Sequence, residues 1–265
     1  MLKDITLGQY FPANSIIHRL DPRIKILSVL LFIIAVFVCK TAFSFALASA
    51  FTLLVIFLSK ISISNILKAL KPVIILIIFT ALINLFLTSG DTYAVNWKFI
   101  KITHNGVNSA VTMAVRIILL VSFTSLLTFT TSPIALTDGI EALLKPFSKI
   151  GLPSHELAMM MTIALRFIPT LLEETDKIIM AQKSRGADFE SGNLIKRAKA
   201  LIPIMVPLFI NSFRRADELA TAMECRCYHG GKGRTKLKEL KIVFADVCAL
   251  ITVVIISAAI IFIGV

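Results

Sequence analysis

ILSVLLFIIAVFVCKTAFSFALASAFTLLVIFL, from Ile26 to Leu58, contains one charged residue, Lys40. A bilayer core of about 30 Å takes about 20 helical residues, so this run is too long for one crossing. Lys40 divides it into blocks over 26–39 and 41–58, which read as two spans joined by a tight turn. The first block is short for a crossing and needs its flanks or neighbours to make up the length. In lipid the backbone must satisfy itself, so both blocks are expected to be helical.

Working outward, further apolar blocks cover 73–87, 107–130 and 242–265, giving five expected spans. Composition agrees: 57% of residues are hydrophobic and the mean hydropathy is +0.85, which belongs to integral membrane proteins rather than soluble domains. The polar run through Lys25 is followed by two apolar blocks in succession, which is not the pattern of a cleavable leader. Four cysteines without scaffold-like spacing do not suggest a disulfide framework.

The net charge of +12 in a soluble chain would suggest nucleic acid; here it reads as positive-inside bias, with no nucleic-acid partner. Residues 1–25, 59–72 and 131–241 carry 24 of the 28 Lys and Arg. That places the N-terminus and the 131–241 region in the cytoplasm and the C-terminus outside. Arg116 is a charge within the fourth block. Charges at that depth face a protein interior or water, so Arg116 either pairs inside the bundle, snorkels, or lines a path. Small residues in the second span (Ala42, Ser44, Ala46, Ala48) and the last (Ser257, Ala258) suit close helix packing.

The domain plan is therefore 1–130 for four spans, 131–241 for a cytoplasmic or interfacial domain, and 242–265 for a last span. Within 131–241, GLPSHELAMMMTIALRFIPTLLEETDKIIMAQKSRG (Gly151 to Gly186) reads as a long helix. Ser154 is its expected N-cap, Pro169 a kink and Gly186 a stop signal. GNLIKRAKALIPIMVPLFINSFRRADELATAMECRCYHGG (Gly192 to Gly231) reads as a second, closed by Gly230–Gly231. Its start has a basic amphipathic pattern, with Leu194, Ile195, Ala198, Leu201 and Ile202 opposite Lys196, Arg197 and Lys199. Each helix carries an arginine in its last turns, Arg185 or Arg226. A cation there is favoured by the helix dipole, and a guanidinium at a helix tip can pair bidentately in a groove. The other reading is an ordinary solvated positive-inside charge.

Three stretches now bear on family: GQYFPANSIIHRLDPRIKI (Gly8 to Ile26), LRFIPTLLEETDKIIMAQKSRGADF (Leu165 to Phe189) and LIPIMVPLFINSFRRADELATAMECRCY (Leu201 to Tyr228). In this order, over nearly the whole chain, they resemble the transmembrane T component of energy-coupling factor transporters. The resemblance implies an all-α integral membrane scaffold, not an enzyme, with two long crossing coupling helices in its cytoplasmic domain. Two ATP-binding subunits would hold ATP and Mg, the chain itself binding no cofactor. The family's arginine motifs fall on Ser184–Arg185–Gly186 and Cys225–Arg226–Cys227, each implied to dock one ATPase. A separate substrate-binding membrane protein, the S component, would be moved between membrane faces. The apolar residues Met159, Met160, Met161, Ile163, Ile204, Met205, Leu208 and Phe209 are the contact candidates for it, since Met-rich surfaces re-pack on different partners. The N-terminal stretch is most similar to members that serve vitamins in prokaryotic cell membranes, with cobalt or nickel as the alternative cargo.

The second motif departs from the family in having cysteines, not small residues and glycine, beside Arg226. This leaves the arginine's role but removes the backbone freedom of glycine. Cys225, Cys227 and His229 offer only three crowded donors, so no metal is expected. GGKGRT (Gly230 to Thr235) has the wrong order for a phosphate-binding loop, and no metalloprotease motif or nucleophile elbow occurs. The alternatives are a conventional permease subunit lining its own substrate path, which would work as a pair, and a membrane-embedded enzyme. For the enzyme, Arg116, His155, Glu156 and Arg166 supply polar groups but no recognisable acid–base set.

Overall fold

The computed structural model describes residues 10–87, 93–97, 100–151, 153–189, 193–231 and 240–264. Among the described residues the fold is all-α apart from one two-stranded hairpin, and the chain divides into two compact units, residues 8–139 with 240–265, and residues 140–239.

In the first unit a short helix α1 (Ile16–Arg19) leads into α2 (Pro22–Val38), α3 (Ala42–Ser59), α4 (Ile63–Leu70) and α5 (Ile74–Leu87). The antiparallel pair β1 (Tyr93–Trp97) and β2 (Ile100–Thr103) comes next, then α6 (His104–Thr130), the start of α7 (Pro133–Leu144) and, from the chain end, α10 (Phe244–Gly264). Helix α6 packs on α2, α3, α4 and α5, and α10 packs on α2 and α3. The core is aromatic: Phe32 is fully buried and stacks on Phe123 with ring centroids 4.0 Å apart, and Phe51 lies close to both. In lipid such packing gains dispersion contacts rather than relief from water, so close approach is decisive. Ala35, Ser44 and Ala48 are fully buried, and a Cβ on Gly264 would come within 3.3 Å of Cys39 Cα.

Helix ends are set by named residues. Asp21 caps α2, its side chain accepting from Arg23 N–H, with Pro22 in the first turn. Asp246 is buried and accepts from Asp21 N–H at 2.7 Å and Val243 N–H at 2.8 Å, tying the start of α10 to that of α2. Lys25, also buried, donates from Nζ to the carbonyls of Thr130 (3.0 Å) and His18 (3.2 Å). A buried ammonium is tolerated where backbone oxygens replace its water, and here it caps α6. At the opposite end of α2, Arg116 Nη2 donates to the Cys39 carbonyl at 2.6 Å, with the guanidinium 5.6 Å from the Phe45 ring centroid. Arg116 thus pairs inside the bundle.

In the second unit α7 ends and a 3-10 turn over Lys145–Ile150 stops at Gly151, whose φ of 94° suits glycine. Helix α8 (Ser154–Ser184) and helix α9 (Leu194–Cys225) then pack against each other. Glu174 on α8 accepts from Asn211 Nδ2 at 2.8 Å and ion-pairs with Arg215 at 3.3 Å on α9.

Five helices among the described residues are long and apolar enough to cross a membrane: Ala42–Ser59, Ile63–Phe86, Asn105–Thr130, Ser154–Ser184 and Phe244–Gly264. The number matches the expected five, but the membership differs. Helix α2, which holds the expected 26–39 block, has 17 residues; α8 qualifies with a mean hydropathy of 1.2, against 2.1 or more for the other four.

Several local readings need correction. Residues 59–72 are not a loop: α4 runs through a 3-10 turn over Lys71–Val73 into α5. Ser154 is the first residue of α8 and is buried; Pro153 holds the cap position without a side-chain bond. The Gly230–Gly231 pair does not close α9, which ends at Cys225. Helix α7 and the β-hairpin are additions to the sequence reading.

Candidate functional site: two arginine-tipped helix ends

The ends of α8 and α9 are built alike. At the first, Ala187 N–H donates to Gln182 O at 3.0 Å and Gly186 N–H to Lys183 O at 2.9 Å. At the second, Tyr228 N–H donates to Met223 O at 3.0 Å and Cys227 N–H to Glu224 O at 2.8 Å. Both are Schellman caps, which satisfy the last helix carbonyls by turning one residue left-handed. Arg185 and Arg226 hold the same cap position with similar backbones, φ −86° and ψ 5° against φ −93° and ψ 15°. The left-handed residue is Gly186 (φ 87°) at one tip and Cys227 (φ 55°) at the other. Cysteine has adopted the conformation for which glycine is usually needed.

Ser184, Arg185, Gly186, Cys225, Arg226 and Cys227 are all exposed. Both arginines are therefore exposed at the negative end of a helix dipole, immediately before a hydrogen-bonded Schellman turn. That arrangement can present a bidentate cation to a carboxylate or to carbonyls on a partner. The two tips differ chemically where Ser184 and Gly186 correspond to Cys225 and Cys227, and in the preceding residue, Lys183 or Glu224.

The apolar candidates divide by exposure. Met160 (54%), Met205 (45%) and Phe209 (56%) are well exposed, while Met159, Met161, Ile163 and Leu208 are half-buried. Ile204, 5% exposed, is turned inward and supports the surface rather than forming it. Val206, Ile210 and Phe213 extend the exposed apolar face of α9 beyond the residues that spacing had singled out. Arg116 belongs to the first unit, in the contact with Cys39 described above. Among the described residues no three His, Cys, Asp or Glu side chains gather as metal ligands. The Glu174 contacts to Asn211 and Arg215 escaped the sequence reading, because nothing in the spacing of α8 indicates its partner on α9.

Known proteins similar to this chain agree on its family. The family described as cobalt transport protein matches residues 13–237. A protein of Clostridium kluyveri is 58% identical over 258 residues, 96% of each chain. One of Acidaminococcus fermentans is 58% identical over 240 residues, 91% of this chain and 89% of its own. One of Brevibacillus brevis is 51% identical over 257 residues, 97% of each. All three are named energy-coupling factor transporter transmembrane proteins.

Proposed function

The chain belongs to the family of energy-coupling factor transporter transmembrane proteins, and on that premise we propose that it couples two cytoplasmic ATP-binding subunits to a membrane S component. The observation that carries this reading is the duplication of one cap geometry at two exposed arginines. Two equivalent tips on one chain suit two ATPases, one for Arg185 and one for Arg226. ATP and Mg belong to those partners, and the chain performs no hydrolysis itself.

In this reading α8 and α9 form the coupling domain on the cytoplasmic side, with the N-terminus on the same side and the C-terminus outside. The charges of Arg166, Glu173, Glu174, Asp176 and Lys177 favour a coupling helix over a span for α8. The exposed methionines and Phe209 offer the S component an adaptable apolar surface. When the ATPases close on ATP, the two tips are drawn together and α8 and α9 shift under the S component. The cargo is a vitamin or similar micronutrient, taken up across a prokaryotic cell membrane and bound by the S component rather than by this chain.

Subunit counting tests the scheme. The intact complex, released from the membrane and weighed by native mass spectrometry, is expected to hold one copy of this chain per pair of ATP-binding subunits. Two copies per pair would instead indicate a conventional permease lining its own path.

A further inference from the structure

The chain beyond the second cap is held by a contact of its own. Past Arg226 it turns at Gly230 (φ 91°), and Gly231 lies against the ring of His155. A Cβ on Gly231 would come 2.5 Å from His155 Cδ2 and 3.1 Å from its Cβ. Only glycine permits so close an approach. His155 stands in the first turn of α8, and its Nδ1 lies 3.1 Å from Glu141 Oε1 on α7. An ionised carboxylate only accepts, so Nδ1 carries the proton and the ring plane is fixed by Glu141.

We propose that Glu141, His155 and Gly231 form a strap that positions the second arginine tip. Resting on the docking reading above, it assigns His155 as a positioning residue acting on Arg226 through the next five residues of the chain. The segment leaving Arg226 is anchored at Gly231, so the second tip meets its ATPase in a narrower set of orientations than an unanchored segment would allow. Pre-organisation of this kind raises affinity by lowering the ordering cost of binding. The strap also makes α7 and the start of α8 the places where a pull on Arg226 is felt.

The test separates the tips. The chain in lipid nanodiscs is titrated with its purified ATP-binding subunits in two backgrounds: Arg185→Glu, which leaves only the second tip, and Arg226→Glu, which leaves only the first. His155→Ala and Gly231→Ala are each expected to raise the dissociation constant about tenfold in the Arg185→Glu background and to leave it unchanged in the other. A general folding defect would weaken both backgrounds, and that result overturns the proposal. So does unchanged binding in both. His155→Cys/Gly231→Cys, with Cys225 and Cys227 replaced by serine, supplies a rescue. The Cβ positions are 3.1 Å apart, closer than the usual separation of about 3.5–4.5 Å in a disulfide, so the bridge forms with a shift of a few tenths of an ångström. The oxidised form is expected to regain tight binding, and its reduced form to resemble His155→Ala. If neither Arg185→Glu nor Arg226→Glu weakens docking by itself, the docking reading has failed, independently of any strap variant, and the strap's role falls with it.

Discussion

Arg116 Nη2 donates to the carbonyl oxygen of Cys39 at 2.6 Å, joining the middle of α6 to the end of α2. The last carbonyls of a helix have no partner within it, and in lipid no water supplies one. The arginine fills that need where the first apolar block stops short. Arg116→Leu is therefore expected to lower stability by about 1–3 kcal/mol, the cost of a buried unpaired polar group. Arg116→Lys should recover part of it. Thermal unfolding in detergent checks both, and an unchanged Tm for Arg116→Leu would show the contact to be dispensable.

The matched caps give a second expectation with opposite signs. Cys227 holds a left-handed backbone at φ 55° and Gly186 one at φ 87°. A side chain at such a position costs about 1 kcal/mol. Cys227→Gly is thus expected to stabilise the end of α9 and Gly186→Ala to loosen the end of α8 by similar amounts. A Cβ at Gly186 meets no other atom within 4 Å, so the second effect reports the backbone alone. Amide hydrogen exchange over residues 223–228 and 182–187 reads them separately.

His18 gives the N-terminal segment a pH dependence. Its Nε2 donates to the Phe11 carbonyl at 3.0 Å, and its Nδ1 lies 2.7 Å from Ser15 Oγ, an arrangement suited to the neutral ring. Burial, opposed by the Phe11 contact and aided by the charge of Lys25, holds its pKa below the usual histidine value of 6.5. With the folded pKa lowered, the unfolded segment binds the proton first. Stability is then full above pH 6.5 and is lost as pH falls through the lowered value. Proteolysis within residues 10–20 should accelerate at pH 5 relative to pH 7.5 in wild type. His18→Gln, which keeps a donor for Phe11, should remove most of that difference.

The exposed apolar surface is expected to serve the S component rather than the ATPases. Met160→Asp and Phe209→Asp replace residues 54% and 56% exposed, so neither should unfold the chain. Each should reduce S-component recovery in a co-purification several-fold while the ATP-binding subunits stay. Equal loss of both partners would assign these residues to the integrity of the coupling domain.

Much of the fold was legible because long apolar runs in lipid have one structural solution. The edges of α3, α6 and α10 fall within about three residues of the hydropathy boundaries. The start of α2 was misplaced because Arg23 and Lys25 read as the end of a polar arm. Their partners, Asp21, Thr130 and His18, come partly from distant sequence. Helix α4 was hidden by Lys68 within it and Lys60 and Lys71 on either side, although Ile63, Ile66, Leu67 and Leu70 keep helical spacing. At the candidate site both arginines and the first stop signal were readable. The cap at Cys227 was not, because the rule for left-handed caps looks for glycine, and the glycines lay just beyond. The contact of Gly231 with His155 is a tertiary one that neither residue announces.

The central claim is that Arg185 and Arg226 are docking points for two ATP-binding subunits, and one pull-down tests it. The chain is co-expressed with its ATP-binding subunits, and wild type is compared with the Arg185→Glu/Arg226→Glu double variant after membrane insertion of both has been verified. Charge reversal of groups buried on docking can cost several kcal/mol. Wild type is expected to retain one copy of each ATPase and the double variant neither. Equal retention by both forms would contradict the claim and return the arginines to solvated positive-inside charges.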